Sequence, residues 1–239
     1  MQAYYDRHYV PANMSVVGVG GAKLEDIVKL LSESPFAASK KGSRMPIPDP
    51  VTDISFPSET RCMFKMSDYI ATSVPVKVGS YHSASKIPGN ANSRAIRIME
   101  SMFDKLLEEE VRRRRAWTYD ISSSCCNFQL FHEFSINCGT LALEALSSIE
   151  EVIEECISSM SDRKDLFEQS KRNVLARNRI IDKTGRDIRD GALYDLAENH
   201  RIISFSEYRD DIERVTMDDI RKLLKWLSPD RRWTIIGSP

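Results

Sequence analysis

Hydrophobic and polar residues alternate with two different periods along the chain, and this pattern predicts its helices and strands. In several stretches apolar residues recur every three or four positions, which is typical of amphipathic helices. The longest stripe begins at Asn92 or Ser93, either of which suits a helix N-cap. Its apolar positions are Ala95, Ile96, Met99, Met102, Phe103, Leu106, Leu107 and Val111.

Four other segments show the same helical spacing. One of them is long enough to be broken or bent at a glycine, and another opens with the residues of a capping box. The four are 24–34, which Pro35 stops; 143–160; 165–202, with a break near Gly185 or Gly191; and 216–228, with Thr216 and Asp219 at its start and Pro229 after it.

Strands are predicted where β-branched residues cluster or where apolar and polar residues alternate. The expected strands are 14–21, buried and ended by glycines; 69–81, with Pro75 at an edge or bulge; an antiparallel pair over 118–131 and 132–139; and 233–237. Residues 37–60 and 79–89 are expected to be loops. This order predicts an α+β fold, in which helices pack on one face of a mostly antiparallel sheet.

Composition narrows the possible classes of function. The chain has 239 residues, and its 34 Lys and Arg against 35 Asp and Glu give a net charge of −1, unlike a dedicated nucleic-acid binder. No apolar run approaches the roughly 20 residues that span a bilayer, and the N-terminus lacks the layout of a signal peptide. Five cysteines without a C-x-x-C spacing predict free thiols and favour a reducing compartment, cytoplasm or organelle matrix.

Common catalytic motifs are missing from the sequence. Its four histidines form neither H-E-x-x-H nor H-x-x-E-H, so we expect no catalytic metal in this chain. The glycines of Gly18–Gly21 follow a predicted strand, but the third glycine of a dinucleotide-binding loop is replaced by Lys23. A tight turn is therefore the preferred interpretation, and we expect no catalytic residue in the chain.

The segment EEEVRRRRAWTY, residues 108–119, is the densest cluster of charge. Three glutamates precede three of the arginines by four residues, a spacing that forms ion pairs of about 0.2–0.5 kcal/mol each on a helix. Arginines also suit a helix C-terminus. Arg112 differs from the others because it follows Val111, the last residue of the apolar stripe. Its guanidinium is expected at the rim of a packed surface, with Tyr119 close by.

Three motifs of the chain, in the same order, resemble a known family. VRRRRAWTY followed by DISSS resembles the L-R-E-x-x-G-L-A-Y signature of the second, non-catalytic domain of pitrilysin/insulinase-type zinc peptidases, with Arg112 and Tyr119 at the spacing of that family's Arg/Tyr pair. YYDRHYVPANMSVVGVGG resembles the family's entry strand, and IERVTMDDIRKLLKWLSPDRRWTIIGSP resembles its closing segment. The similarity spans nearly the whole chain.

The resemblance implies a role for the chain. Two homologous α+β domains of this family form a clamshell around a peptide chamber, and only one carries the zinc ligands. By resemblance, residues 1–239 are a single inactive domain of a longer two-domain protein. Arg112 orients the peptide substrate, Tyr119 donates a hydrogen bond to it, and zinc belongs to the catalytic partner. The sequence departs from the signature at Ala116-Trp117-Thr118, where Gly-Leu-Ala is usual.

The sequence leaves two alternative functions. Processing-peptidase-like and respiratory core subunits use the same domains as structural or substrate-binding partners, so a non-proteolytic scaffold is the main alternative. An RNA-binding module built on the arginines and Trp117 is disfavoured by the balanced charge. An intact H-x-x-E-H in the catalytic half favours the peptidase over the scaffold.

Overall fold

A computed structural model describes the chain except residues 39–41, 47–48, 56–60, 67–68, 72–73, 129, 178–183 and 200. The described residues form two compact units. The first comprises residues 1–48 and 178–209, and the second comprises residues 49–177 and 210–239. None of the described helices is long and apolar enough to cross a membrane.

The described α-helices are α1 (Gln2–His8), α2 (Leu24–Ser32), α3 (Pro35–Ala38), α4 (Ser93–Leu107), α5 (Ile149–Met160), α6 (Lys164–Arg177), α7 (Gly185–Asn199), α8 (Phe205–Arg214) and α9 (Met217–Leu224). A π-helical segment continues α4 over Glu108–Arg114. Short 3-10 turns occur at Pro11–Asn13, Leu143–Ala145, Lys225–Leu227 and Pro229–Arg231.

The described strands are β1 (Arg61–Lys65), β2 (Tyr69–Ala71), β3 (Val74–Val76), β4 (Gly79–Pro88), β5 (Ile121–Asn127), β6 (Phe131–Leu141) and β7 (Arg232–Ser238). Five of them form one sheet in the order β1-β7-β4-β6-β5, while β2 and β3 pair with each other. Strand β1 is parallel to β7, and the other pairs of the main sheet are antiparallel. The α+β fold with a mostly antiparallel sheet is therefore confirmed.

Helix α4 is the centre of the second unit. It packs against β5 and contacts α5, α6 and α9. Every apolar residue of its predicted stripe is buried, and the Asn92 side chain accepts hydrogen bonds from the N–H groups of Arg94 and Ala95. The predicted capping box of Thr216 and Asp219 is also present. The long apolar stripe thus forms the helical half of the core, as its spacing predicts.

The structure corrects two strand predictions. Residues 79–89 were expected to be a loop, but β4 is the central strand of the sheet. Its Ser83 and Ser85 are buried between β6 and β7. The strand therefore lies in the core, although its sequence is rich in serine and lacks the usual apolar alternation. The predicted strand over 69–81 is instead divided among β2, β3 and the start of β4.

The first unit departs further from the sequence prediction. The segment 14–21 does not form the expected buried strand, and Met14, Val16 and Val19 are exposed. Helix α2 forms as predicted, yet none of its residues is buried. The tract 165–202 is divided into α6 and α7; Gly185 begins α7, and Gly191 lies inside it. Helix α1 of this unit was not predicted, and neither were helix α8, which begins in it, and strand β1 of the second unit.

Candidate functional site

The candidate site begins where α4 widens. Over Glu108–Arg114 the backbone is π-helical, so residues five apart, rather than four, are brought together on one face. Val111 is buried in the middle of this segment, whereas Arg112, Arg113 and Arg114 are exposed. A π-helical segment of this kind is rare and occurs frequently at functional sites.

The widened turn changes which charges pair. Glu108 contacts Arg113 at 2.8 Å, five residues on, instead of Arg112, four residues on. Glu110 contacts both Arg114 and Arg115 at 2.8 Å. The Glu110–Arg114 pair has the expected four-residue spacing, whereas the Glu108–Arg113, Glu109–Arg114 and Glu110–Arg115 pairs span five residues. As a result, Arg113, Arg114 and Arg115 are occupied by the preceding glutamates.

Because Glu108 pairs with Arg113, Arg112 lacks the glutamate partner that a regular helix would give it. Within the described part of the chain its side chain has no ion pair or hydrogen bond, and it is exposed to solvent. It lines an open groove of about 340 Å³ between α4 with its π-helical end, the start of β5, and α6. We call this the cationic groove; Lys105, Arg112 and Arg177 are its basic residues, and Asp104 and Glu108 its acidic residues.

The chain reverses after the arginines at Ala116. This residue has φ 52°, the left-handed conformation that favours glycine, and it occupies the position where the resembling signature has glycine. The Trp117 N–H donates to the Val111 carbonyl at 3.1 Å. In a Schellman motif the corresponding bond spans five residues; here it spans six, as the π-helical widening requires. Ala116 thus adopts a conformation for which the glycine of the signature is better suited.

Tyr119 lies in the loop that follows this turn. Its side chain is 86% exposed, whereas the neighbouring Thr118 is buried. The Asp120 carboxylate fixes the loop by accepting hydrogen bonds from the hydroxyls of Thr118 and Thr140, each at 2.8 Å. Partial burial raises the pKa of Asp120, but these hydrogen bonds outweigh it and hold the pKa below its ordinary value. A firmly held loop thus presents a phenol that has no hydrogen-bond partner among the described residues.

The two residues singled out from the sequence differ in their surroundings. Arg112 lines the cationic groove, while Tyr119 projects to solvent beyond the turn at Ala116. The loop between them is closed by hydrogen bonds at both ends, since the Trp117 carbonyl also accepts from the Ala142 N–H at 2.8 Å. The arrangement offers a guanidinium and a hydroxyl, both available to an external ligand.

Lys105 was not among the site residues that the sequence predicts. Its amine nitrogen is buried without a hydrogen-bond partner in the described structure. Burial lowers the pKa of Lys105, and the positive charges of Arg172 and Arg177 lower it further. Lys105 precedes Arg112 by seven residues, which in a regular α-helix places two residues on one face; this spacing was the signal available in the sequence.

The described residues hold no group of three or more His, Cys, Asp or Glu side chains arranged to bind a metal ion. All five cysteines are free thiols, as predicted, and Cys125, Cys138 and Cys156 are buried. Burial raises the pKa of Cys125 and Cys156 to about 12, so neither is an activated nucleophile.

Comparison with solved structures identifies the fold. A peptidase M16 inactive domain from Pseudomonas fluorescens matches with a TM-score of 0.74 at 14% identity, covering 100% of this chain and 57% of that one. A protease from Helicobacter pylori gives 0.66 at 12%, covering 92% and 54%. A putative M16-like peptidase from Alicyclobacillus acidocaldarius gives 0.65 at 13%, covering 92% and 53%. The chain thus spans about half the length of these proteins.

Comparison with family models adds a match in sequence. Among curated proteins no relative matches. The model described as the peptidase M16 inactive domain, however, matches residues 1–174, which include the π-helical segment, the turn at Ala116 and the whole of β6. This match covers well over half of the chain and agrees with the resemblance seen in its motifs. The chain belongs to the peptidase M16 inactive-domain family.

Proposed function

We propose that this chain is the substrate-binding, zinc-free half of an insulinase-like (pitrilysin-type) zinc metalloendopeptidase. Its role is to complete a clamshell chamber around a peptide and to orient that peptide with Arg112 and Tyr119. The observation that carries the proposal is the free guanidinium of Arg112, which the pairing of Glu108 with Arg113 leaves without a partner in the described structure beside an open groove.

The chemistry of the two side chains suits this role. A guanidinium presents several N–H donors in a planar fork, which matches the carbonyl oxygens of an extended peptide. A tyrosine hydroxyl donates to a substrate carbonyl and to the negative oxygen that develops as the carbonyl is attacked. Zinc in the catalytic partner supplies the activated water; this chain's own residues bind and orient the substrate.

The length of the chain supports a partnership. It spans 57%, 54% and 53% of the three structures described above, so each has room for a second domain of similar size. We propose accordingly that residues 1–239 are one inactive domain, and that a domain or subunit with H-x-x-E-H completes the enzyme. Zinc is then a cofactor of that partner and not of this chain.

The proposal is tested by comparing the chain alone with the chain plus its catalytic half. Purified alone, the chain should contain no stoichiometric zinc and should not cleave peptides. Addition of the catalytic half should give peptide cleavage that a chelator abolishes. Stoichiometric zinc together with peptidase activity in the isolated chain would refute the assignment.

A non-proteolytic scaffold remains the second candidate, and one observation favours it. Ala116-Trp117-Thr118 replaces the usual Gly-Leu-Ala, and the Arg115 guanidinium lies over the Trp117 ring at 5.5 Å, an arrangement that serves packing. The catalytic half decides between the two: an intact H-x-x-E-H there supports the peptidase, and a degenerate one supports the scaffold.

A further inference from the structure

The acidic side chains of the cationic groove do not neutralise its basic ones. Asp104 accepts hydrogen bonds from the backbone N–H and the hydroxyl of Ser123, both at 2.7 Å. Glu108 accepts a hydrogen bond from Arg113 at 2.8 Å. Lys105, Arg112 and Arg177 have no such partners in the described part of the molecule. The groove therefore offers cations whose hydrogen-bonding capacity is unused.

Lys105 is the most unusual of the three. Its amine nitrogen is buried and has no hydrogen-bond partner among the described residues, and burying an unpaired ammonium is strongly unfavourable. Arg172 and Arg177 add positive charge near it. An anion entering the groove would supply the missing acceptor and remove this penalty. The position is costly for folding but suited to binding.

The charge of the groove indicates which anion fits. Three cations and two carboxylates line it, so their net charge is one positive unit. A single carboxylate balances that charge, whereas a phosphate with two negative charges would leave the groove with a net negative charge. The groove is also open and runs beside the start of β5, which suits a chain rather than an enclosed small molecule.

The distance along the helix between Lys105 and Arg112 predicts where this carboxylate lies in a peptide held by Arg112. Seven residues of helix separate Lys105 from Arg112, a rise of about 10 Å. An extended peptide advances about 3.3 Å per residue. A peptide lying along the groove would therefore place a side chain beside Lys105 about three residues from the residue that Arg112 holds.

We propose that the cationic groove selects peptides with an acidic residue, whose carboxylate binds to Lys105 with help from Arg177, about three residues from the position held by Arg112. The inference rests on the proposed function, because it names the substrate class of that same site.

The test uses the 239-residue chain and two labelled peptides with blocked termini that differ only at one central residue, glutamate or glutamine. Fluorescence anisotropy should show the glutamate peptide binding about tenfold more tightly, the effect of one charge-assisted hydrogen bond. Lys105→Met should abolish this preference while raising the melting temperature, because it removes the unpaired buried charge. Lys105→Arg should retain the preference, and Lys222→Met, at an exposed position on α9, should change neither quantity.

The outcomes separate this inference from the proposed function. If Arg112→Ala weakens both peptides but Lys105→Met leaves the glutamate preference intact, acid selection is wrong and peptide binding stands. If Arg112→Ala changes neither affinity while Lys105→Met abolishes the preference, the role of Arg112 is wrong instead. Lys105-dependent binding of inorganic phosphate without any glutamate preference would overturn the peptide assignment, as would failure of both peptides to bind.

Discussion

Helix α4 begins and ends in different ways. At its beginning, the Asn92 side chain caps two free N–H groups, and a regular α-helix then buries one apolar stripe. At its end, the backbone widens into a π-helix, Ala116 adopts a left-handed conformation, and Lys105 and Arg112 lack partners in the described structure. The N-cap and the buried stripe stabilise the beginning of the helix, whereas the irregular backbone and the unpaired cations lie at its end. Such departures are expected where a protein binds or reacts.

The largest expected effect comes from the regular part of α4. Phe103 is fully buried and packs against Phe134, with ring centroids 5.9 Å apart. Phe103→Ala should lower the free energy of unfolding by about 3–5 kcal/mol, measured by urea denaturation, because it opens a cavity in the core. Leu30→Ala on α2, where the side chain is 69% exposed, is the matched control and should change it by less than about 0.5 kcal/mol.

The N-cap of α4 should contribute less to the free energy of unfolding than the buried residues of the helix. Asn92→Ala removes the acceptor for the N–H groups of Arg94 and Ala95 and should cost about 1 kcal/mol. Asn92→Asp keeps an acceptor and should restore most of that stability. If the alanine variant were as stable as the parent in the same urea titration, the contrast between the two ends of α4 would be weakened.

A substitution just after the end of α4 should raise the free energy of unfolding instead of lowering it. The left-handed conformation of Ala116 costs about 1–2 kcal/mol for a residue with a Cβ. Ala116→Gly removes that cost but gains unfolded-state entropy of about 0.4–1 kcal/mol, so a net stabilisation of about 0.5 kcal/mol is expected. The same change at Ala176, exposed within α6, should destabilise the protein by about 1 kcal/mol. Equal destabilisation at both sites would contradict the strained turn.

The smallest expected effect is on the pH dependence of stability, through a histidine near the beginning of α4. Burial lowers the pKa of His132 below its ordinary 6.5, although the backbone of Gly89 and Ala91, just before the helix, opposes the shift. The unfolded chain then takes up a proton first as the pH falls, so stability should decline below about pH 6.5. Melting curves between pH 7.5 and 5.5 should show this decline in the parent and a flatter profile in His132→Gln.

The two ends of α4 also show how far sequence reasoning reaches. The apolar stripe and the Asn92 cap were predictable because they depend on spacing and local hydrogen bonding. The π-helical widening was not, since Glu108 and Arg112 have the spacing of an ordinary helical ion pair. Arg112 was nevertheless singled out, through its place beside Val111 and through a family motif. Lys105 was missed because its burial depends on the packing of β5 and α6.

The same limit explains the errors in the sheet. The sequence predicts a loop in place of strand β4 because Ser83 and Ser85 resemble exposed residues. Their burial is decided by neighbouring strands that are distant in sequence. Conversely, the β-branched segment 14–21 reads as a strand, yet no strand pairs with it in the described structure. Local propensity predicts whether a segment favours a helix or a strand, but tertiary contacts decide whether that element forms.

The central claim is that the π-helical end of α4 frees Arg112 for substrate while the neighbouring arginines stabilise the helix. It is tested most directly by peptide turnover with the catalytic half present. Arg112→Ala should reduce kcat/KM by about 100-fold, the effect of losing one donor that orients or stabilises the reacting peptide. Arg114→Ala removes only its ion pairs with Glu109 and Glu110 and should leave kcat/KM within about twofold. Equal losses in the two variants would contradict the account.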